Sequence, residues 1–135
     1  MTTQGAVRRA TVLGAFPIYG LMGAMQALYG PLLPAFRVDF HVTEAASGLL
    51  FSAHFCGAAL GILLPDALES RYMLGRRLIG GATAVLAVGY LSLGLAPAWP
   101  AALLATVLIG LGYGGLVRAF TMLIVTNFGA RNAFM

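Results

Sequence analysis

Three long stretches without a charged residue constrain what this chain can fold into. Residues 10–36, 45–65 and 78–117 comprise 27, 21 and 40 residues, and none of them includes Asp, Glu, Lys or Arg. A helix needs about 20 apolar residues to cross the hydrocarbon core of a bilayer. The first two stretches are therefore each long enough for one crossing, and the third is long enough for two.

The composition excludes several classes of soluble protein. Hydrophobic residues make up 60% of the 135 residues and charged residues only 9%, against about 45–50% and about 25% in soluble domains. The basic residues are eight arginines distributed in ones and twos, which do not form the basic stripe of a nucleic-acid-binding protein. We therefore predict an all-α, polytopic membrane protein, with residues 1–135 as a single membrane domain and no nucleic-acid partner.

Two prolines divide the longest uncharged stretch. Pro97 and Pro100 lack the amide hydrogen that continues a helix, and Trp99 between them suits the membrane interface. The first stretch exceeds the apolar core of a cleaved signal peptide, which has about 7–15 residues, and is interpreted as a retained span. The sequence thus predicts four transmembrane helices, near residues 12–36, 45–65, 78–96 and 101–126.

The arginines predict the orientation of the chain in the membrane. With the N-terminus in the cytoplasm, six flanking arginines lie inside and only Arg37 lies outside, while Arg118 falls within the fourth span. Positively charged residues favour the cytoplasmic side. The sequence therefore predicts that both termini and the 66–77 loop are cytoplasmic. The six inside arginines are Arg8, Arg9, Arg71, Arg76, Arg77 and Arg131.

Polar and aromatic residues share one face of the first predicted helix. Tyr19, Met22, Gln26 and Tyr29 are separated by three or four residues, which places them on the same side of a helix. A lipid-facing glutamine has no hydrogen-bonding partner, so this face is expected to look into protein or a water-filled cavity. Tyr19, Gln26 and Tyr29 are therefore candidates for a substrate cavity. The alternative for Gln26 is a side-chain amide that links two helices.

Two ionisable residues within the spans are further candidates for this cavity. His54 lies near the middle of the second helix, where an ionised imidazole is costly. The sequence therefore favours a neutral, hydrogen-bonded His54, with a proton relay as the alternative. Arg118 lies in the cytoplasmic third of the fourth helix, where it either snorkels to the interface or serves as an anion site or ionic latch. The four predicted spans contain no acidic residue that could pair with either side chain.

Small residues recur at helix-packing intervals in the second and fourth helices. Gly57 and Gly61 are four residues apart, as are Gly110 and Gly114, which predicts close contacts between helices. Cys56 is expected to be a small apolar core residue. Two histidines and one cysteine offer no metal-ligand spacing, and no catalytic set or phosphate loop is present. We therefore predict no metal, no cofactor and no enzymatic activity.

Four segments resemble the start of a major facilitator superfamily transporter, most closely its sugar-permease-like members. Residues 30–36 resemble the outer end of the family's first helix, and residues 44–64 resemble its second helix. The 66–77 loop lies where the family has a charged cytoplasmic motif. Residues 110–115, followed by 127–132, are similar to the fourth helix and its exit.

The resemblance implies a fold and a mechanism. Members of this superfamily have twelve helices built from three-helix repeats, and a small solute binds between the two halves and crosses by alternating access. The chain would be the N-terminal part of such a transporter in the cell (inner) membrane. Its partners would be the lipid bilayer, a small-molecule solute, and the remaining helices or another copy of the chain. We expect a chain truncated to four helices not to transport by itself.

The resemblance also implies a role for the 66–77 loop as a charged clamp between the second and third helices. Asp66 and Gly75 are nine residues apart, further than in the family motif, so either Asp66 or Glu69 would be the latching carboxylate. The arginine of the family's drug antiporters would fall near Thr106 and is absent, so Arg118 is not its counterpart. The predicted clamp residues are Asp66, Glu69, Arg71, Arg76 and Arg77.

Two other functions remain open from the sequence. A four-helix exporter working as a dimer would have a similar length, although such proteins depend on a glutamate in the first helix, which this chain lacks. A non-transporting membrane subunit would use the glycines and Arg118 only to assemble a larger complex.

Overall fold

The protein is all-helical. A computed structural model describes residues 16–67 and 74–132, with side chains considered for residues 16–65 and 77–125. Within these ranges every regular element is a helix. The described part of α1 is 16–27, followed by α2 (Tyr29–Asp39), α3 (Glu44–Ser47), α4 (Leu49–Ala67), α5 (Leu74–Gly94) and α6 (Trp99–Asn132).

A proline separates α1 from α2 without reversing the chain. Leu28 has helical dihedral angles (φ −65°, ψ −23°), and its amide donates to the carbonyl of Ala24 at 3.1 Å. The amide of Leu32 donates to the carbonyl of Leu28 at 3.2 Å, so helical hydrogen bonds continue on both sides. Pro31 has no N–H to donate to the carbonyl of Ala27, which interrupts the ladder at this point. Residues 16–39 therefore follow one helical path with a local break.

The connection between α2 and α3 is a tight, hydrogen-bonded turn. The amide of Val42 donates to the carbonyl of Arg37 at 3.2 Å, and that of His41 donates to the carbonyl of Val38 at 3.4 Å. This pattern is a Schellman motif, which requires a left-handed residue at the position of His41. His41 indeed has φ of 52°, a conformation that favours glycine. The hydroxyl of Thr43 then caps α3 by accepting from the amide of Ala46 at 3.2 Å.

The structure separates α5 from α6 at the two prolines of the longest uncharged stretch. α5 ends at Gly94, and α6 begins at Trp99, so Pro100 lies in the first turn of α6, where its missing amide is not needed. The boundaries differ from the predicted ones at the other ends of these helices. α5 begins four residues before residue 78, and α6 continues six residues past residue 126. Hydropathy locates an apolar span, whereas a helix continues into polar sequence as long as backbone hydrogen bonds form.

Three helices of the described chain are long and apolar enough to cross a membrane. They are Glu44–Pro65, Arg77–Gly94 and Trp99–Val125, which cover the second, third and fourth predicted spans. Residues 16–39 include positions 16–36 of the first predicted span, whose first four residues lie outside the described part of the chain. They are divided at Leu28 and are not one of these three helices. The protein is therefore a membrane protein with at least three helices suited to span a bilayer.

The helix α6 is the centre of the bundle. It packs against α4 on one side and α5 on another. Within the apolar 18-residue window of each candidate span, 50% of the α6 residues are buried inside the protein, compared with 33% for Glu44–Pro65 and 11% for α5. α1 lies against this bundle: Met22 forms a buried cluster with Ala82 of α5 and Leu116 of α6. Large apolar side chains remain exposed on both α4 and α5, among them Phe55 and Leu63 on α4 and Val88 and Leu91 on α5.

Backbone-to-backbone contact between α4 and α6 depends on four glycines. A Cβ atom placed on Gly57 or Gly61 would overlap a backbone carbonyl oxygen of α6. A Cβ atom on Gly110 or Gly114 would likewise overlap a carbonyl oxygen of α4. The two glycine pairs therefore face each other, and the helices approach as closely as their main chains allow. The sequence order of the contacts shows that α4 and α6 run parallel.

A second glycine set brings α5 against another face of α6. A Cβ atom on Gly112 would lie 2.6 Å from the amide nitrogen of Leu86, and one on Gly89 would lie 2.8 Å from Ile109. These contacts pair later residues of α6 with earlier residues of α5, so the two helices are antiparallel. The glycine-rich string of α6 thus supplies two interfaces, because residues two positions apart point about 200° apart around a helix.

Candidate functional site

His54 is placed in the interior by the periodicity of α3 and α4. The buried residues recur every three or four positions, which makes one continuous inward stripe along the helix. His54 belongs to this stripe and is only 2% exposed. Its position near the middle of the Glu44–Pro65 span sets the imidazole at membrane depth. The stripe consists of Ser47, Leu50, His54, Gly57, Ala58 and Gly61.

Both ring nitrogens of His54 are engaged by side chains of the first helical path. The Nε2 atoms of Gln26 and His54 are 3.1 Å apart, and the hydroxyl of Tyr29 lies 3.3 Å from Nδ1 of His54. With the proton on Nδ1, Gln26 donates to Nε2 and the imidazole donates to the Tyr29 oxygen. With the proton on Nε2, the imidazole donates to the Gln26 amide oxygen after an amide flip, and Tyr29 donates to Nδ1. Both ring nitrogens of His54 therefore have a partner in either tautomer.

Aromatic rings enclose the imidazole from three helices. The ring of Tyr29 lies 5.4 Å from that of His54, the ring of Phe55 lies 5.7 Å away, and the ring of Tyr113 lies 5.3 Å away. Phe51 extends the wall by packing on Tyr29 at 5.7 Å. These arrangements are tilted or edge-on, the geometries that aromatic quadrupoles favour. We call Gln26, Tyr29, His54 and Tyr113 the His54 cluster.

Two candidate cavity residues lie outside the His54 cluster. Tyr19 packs on Phe120 with ring centroids 5.9 Å apart, two helical turns below Gln26. Arg118 is half-buried on α6, about one and a half turns beyond Tyr113, and it has an interaction partner within the protein. The candidates that meet are Gln26, Tyr29 and His54.

Tyr113 is the cluster residue that the sequence analysis missed. It lies inside the glycine string of α6, which was interpreted only as a packing surface. The available signal was that Tyr113 is the single bulky polar residue among Gly110, Gly112, Gly114 and Gly115. Glycines on both sides allow α4 to come close to α6, and the tyrosine ring then reaches His54.

Most of the predicted loop clamp lies beyond the described side chains. Glu69 and Arg71 fall outside the described residues, and Asp66 and Arg76 are described only as backbone positions in α4 and α5. Arg77 is exposed at the start of α5 and has an interaction partner. The role of these five residues stays a prediction.

Cys56 is exposed on α4, so the expectation that it occupies a core position is wrong.

An aromatic group joins two turns at one end of the bundle. The rings of Phe36 and Phe40 are stacked at 6.1 Å, and Phe40 packs on Trp99 at 5.7 Å. Phe40 precedes α3, and Trp99 begins α6, so the turn before α3 and the turn before α6 lie side by side. Arg37 and Glu44 approach within 3.5 Å across the first of these turns. Aromatic rings beside charged side chains are typical of a membrane–water interface.

The His54 cluster consists of neutral polar and aromatic groups. It offers amide, imidazole and phenol groups together with aromatic faces. Among the residues that the structure describes, no group of three or more His, Cys, Asp or Glu side chains could hold a metal ion. No nucleophile lies beside the imidazole in these contacts.

No family model, curated protein or solved structure matches the chain.

Proposed function

We propose that the chain is part of a transporter of the major facilitator type that moves a small solute by alternating access. The His54 cluster would line the solute pathway. The observation that carries the proposal is the hydrogen bonding of Gln26 and Tyr29 to a fully enclosed His54 at membrane depth. Polar side chains are costly inside a bilayer and are usually functional there.

The geometry of the His54 cluster favours a solute site over helix assembly alone. Its hydrogen bonds join two segments far apart in sequence, residues 26–29 and residue 54, and each bond is between neutral groups. Such bonds contribute only about 0.6 kcal/mol on average between membrane helices, so a polar solute can replace them at small cost. An assembly contact would be served better by the glycine packing already present between α4 and α6.

The proposal includes four membrane spans with both termini in the cytoplasm of a cell (inner) membrane. Residues 16–39 follow one helical path of about 36 Å, which is long enough for a first crossing. The contact of Phe40 with Trp99 supports this topology, because both belong to turns expected outside the cell. The arginine distribution in the sequence supports the same orientation.

Alternating access requires one wall of the pathway to move against another. Glycine contacts bring the main chains of α4 and α5 directly against that of α6, with no space for a side chain between them. These three helices would therefore move as one unit. The first helical path meets α4 through side chains and could shift relative to it. Further helices, or another copy of the chain, would supply the opposing wall, and the 66–77 loop would act as the cytoplasmic clamp.

The test measures solute uptake and particle mass in the same liposomes. Residues 1–135 are reconstituted alone and, separately, with the membrane partners that co-purify from the native membrane. We expect saturable uptake only in the assembled sample, and its loss in His54→Leu but not in Tyr19→Phe. Uptake by a dimer of the chain would instead favour the small-exporter alternative. Absence of both uptake and solute binding in every sample would overturn the proposal and favour an assembly subunit.

Topology is tested separately with reporter fusions after residues 40, 74, 99 and 135. We expect external signals at residues 40 and 99 and cytoplasmic signals at the other two. A cytoplasmic signal at either residue 40 or residue 99 would contradict the four-span arrangement. In a Cys56→Ser background, cysteines at positions 40 and 99 should also be joined by a short bifunctional maleimide.

A further inference from the structure

The residues of the His54 cluster point to the class of solute. We infer that the site selects an uncharged molecule that carries both a hydrogen-bond donor and an acceptor beside a flat apolar face, and that it rejects ions. The inference rests on the proposed transport function. It has three grounds: unused hydrogen-bonding capacity, aromatic walls, and the distance of every described charge from the cluster.

Among the contacts of the described residues, Gln26 and Tyr29 keep unused hydrogen-bonding capacity in both tautomers of His54. If Nδ1 carries the proton, Tyr29 accepts from the imidazole, and its own hydroxyl hydrogen is left to donate. Gln26 then still has one amide hydrogen and its carbonyl oxygen. If Nε2 carries the proton, both amide hydrogens of Gln26 are left to donate instead. The cluster therefore always presents neutral donors and acceptors to a third molecule.

This unused capacity lies where water is scarce. Tyr29 is 5% exposed and His54 is 2% exposed, and both are within membrane-depth helices. A buried donor without a partner is unfavourable, so a molecule that accepts a hydrogen bond from Tyr29 removes that cost on binding. Water can fill the same role, but it does not use the aromatic faces of Phe51, Phe55 and Tyr113.

The five charged residues whose side chains are described all lie away from the cluster along or around their helices. Asp39 lies ten residues beyond Tyr29, about 15 Å, and Arg77 lies twelve residues before Gly89, about 18 Å along α5 from the level of His54. Arg37 lies eight residues beyond Tyr29, about 12 Å along the helical path, and Glu44 lies ten residues before His54, about 15 Å away. Arg118 is five residues beyond Tyr113 and about 140° around α6, so it faces another direction. The titratable groups that contact His54 are two tyrosines, Tyr29 from α2 and Tyr113 from α6.

An ion entering this site would lose its hydration without gaining a counter-charge. Transfer of an unpaired charge into such surroundings is opposed far more strongly than transfer of an amide or hydroxyl group that finds a hydrogen bond. The neutral donors and acceptors of the cluster thus select uncharged molecules over ions. It admits a molecule whose amide or hydroxyl groups exchange hydrogen bonds with Gln26 and Tyr29 while an apolar face stacks on the rings.

The experiment compares molecules of one shape and three charges. Binding of nicotinamide, nicotinate and 3-(aminomethyl)pyridine to the chain in nanodiscs is measured by equilibrium dialysis, with empty nanodiscs correcting for lipid partitioning. We expect nicotinamide to bind about tenfold or more tighter than either ion, the equivalent of about 1.4 kcal/mol.

Variants assign the binding to the cluster. Tyr29→Phe removes one hydroxyl and should weaken amide binding about threefold to tenfold, whereas Tyr19→Phe, on the same helical path, should not change it. Gln26→Glu supplies a counter-charge and should shift preference toward the ammonium compound. Near-ultraviolet circular dichroism shows whether each variant is folded. If Gln26→Glu does not fold, Tyr29→Phe alone still tests whether the cluster binds the amide.

Absence of binding by every compound while the assembled sample still takes up solute would overturn the inference alone. Tighter binding of an ion than of its amide in the wild-type chain would overturn the inference and leave the transport proposal standing. Amide binding that is unchanged in both Tyr29→Phe and Gln26→Leu would also overturn it, because the site would lie elsewhere. Absence of binding by every compound, together with absence of uptake in the assembled sample, would overturn the transport proposal and the inference together.

Discussion

Helix α4 has two interfaces that differ in what fills them. Toward α6 it presents Gly57 and Gly61, and the main chains touch with no side chain between them. Toward the first helical path it presents His54, and the contact consists of two hydrogen bonds and several aromatic edges. One interface has no space for even a methyl group, whereas the other is formed by long side chains with rotatable bonds.

The difference shows how one helix bundle can have a rigid interface, between α4 and α6, and an interface that can rearrange, between α4 and the first helical path. Backbone contact through glycines has a single arrangement, because any shift produces either overlap or a gap. Side-chain contact has several arrangements, because an amide can flip and a hydroxyl can rotate. We therefore expect substitutions at the glycine interface to affect folding, and substitutions at the His54 cluster to affect solute handling more than folding.

The largest expected effect comes from filling the glycine interface. Gly57→Val should destabilise the folded protein by about 3 kcal/mol or more, because its side chain would overlap the backbone of α6. Unfolding by SDS in mixed micelles measures this change. The matched control is Gly80→Ala on α5, where nothing lies within 4 Å of the added Cβ. That variant should be as stable as the wild-type chain or more stable by up to about 1 kcal/mol. Equal losses of stability in both variants would mean that the close contact of α4 with α6 is not what makes Gly57 sensitive.

A smaller effect is expected from removing the imidazole. His54→Leu leaves Tyr29 and Gln26 without their partner and should cost about 1–2 kcal/mol in the same unfolding assay. The double variant Gln26→Leu with His54→Leu should recover part of the loss, giving a coupling energy of about 0.6 kcal/mol. Additive losses would mean that the two side chains do not interact in the membrane.

A stabilising change is expected at His41, in the turn between α2 and α3 that connects the first helical path to α4. His41→Gly should raise stability by about 1 kcal/mol, because glycine adopts the left-handed conformation of φ 52° without a steric cost. His41→Ala serves as the control, since it removes the imidazole and keeps the Cβ. If the alanine variant gains as much as the glycine variant, the imidazole rather than the backbone conformation is unfavourable at this position.

The smallest effect is expected at the ion pair beside that turn. Arg37 and Glu44 are 3.5 Å apart, with side chains 44% and 86% exposed. Exposed pairs of this kind contribute about 0–1 kcal/mol, so a double-mutant cycle with alanine at both positions should give a coupling below about 0.5 kcal/mol. A coupling above 1 kcal/mol would show that lipid headgroups shield the pair from water and strengthen it.

The sequence alone predicted the parts of the site that depend on one helix at a time. The spacing of Gln26 and Tyr29 places them on one face, and the position of His54 in its span follows from counting residues. That these three side chains meet depends on how two helices are rotated about their axes, which spacing does not specify. For the same reason Tyr19 shares the face but packs on Phe120, and Tyr113 joined the cluster from an unexpected helix.

The sequence by itself determined that this chain is a helical membrane protein and that its longest uncharged stretch is divided near Pro97. Those features follow from local rules, because in lipid each segment must satisfy its own backbone hydrogen bonds, and Pro97 has no amide hydrogen with which to continue α5. The division of the first predicted span at Leu28 was not among the predicted features. Only the tertiary structure decided which glycines face which helix and which polar groups lie together. Association of helices in a bilayer depends on packing between surfaces distant in sequence, and no single helix encodes its partner's rotation.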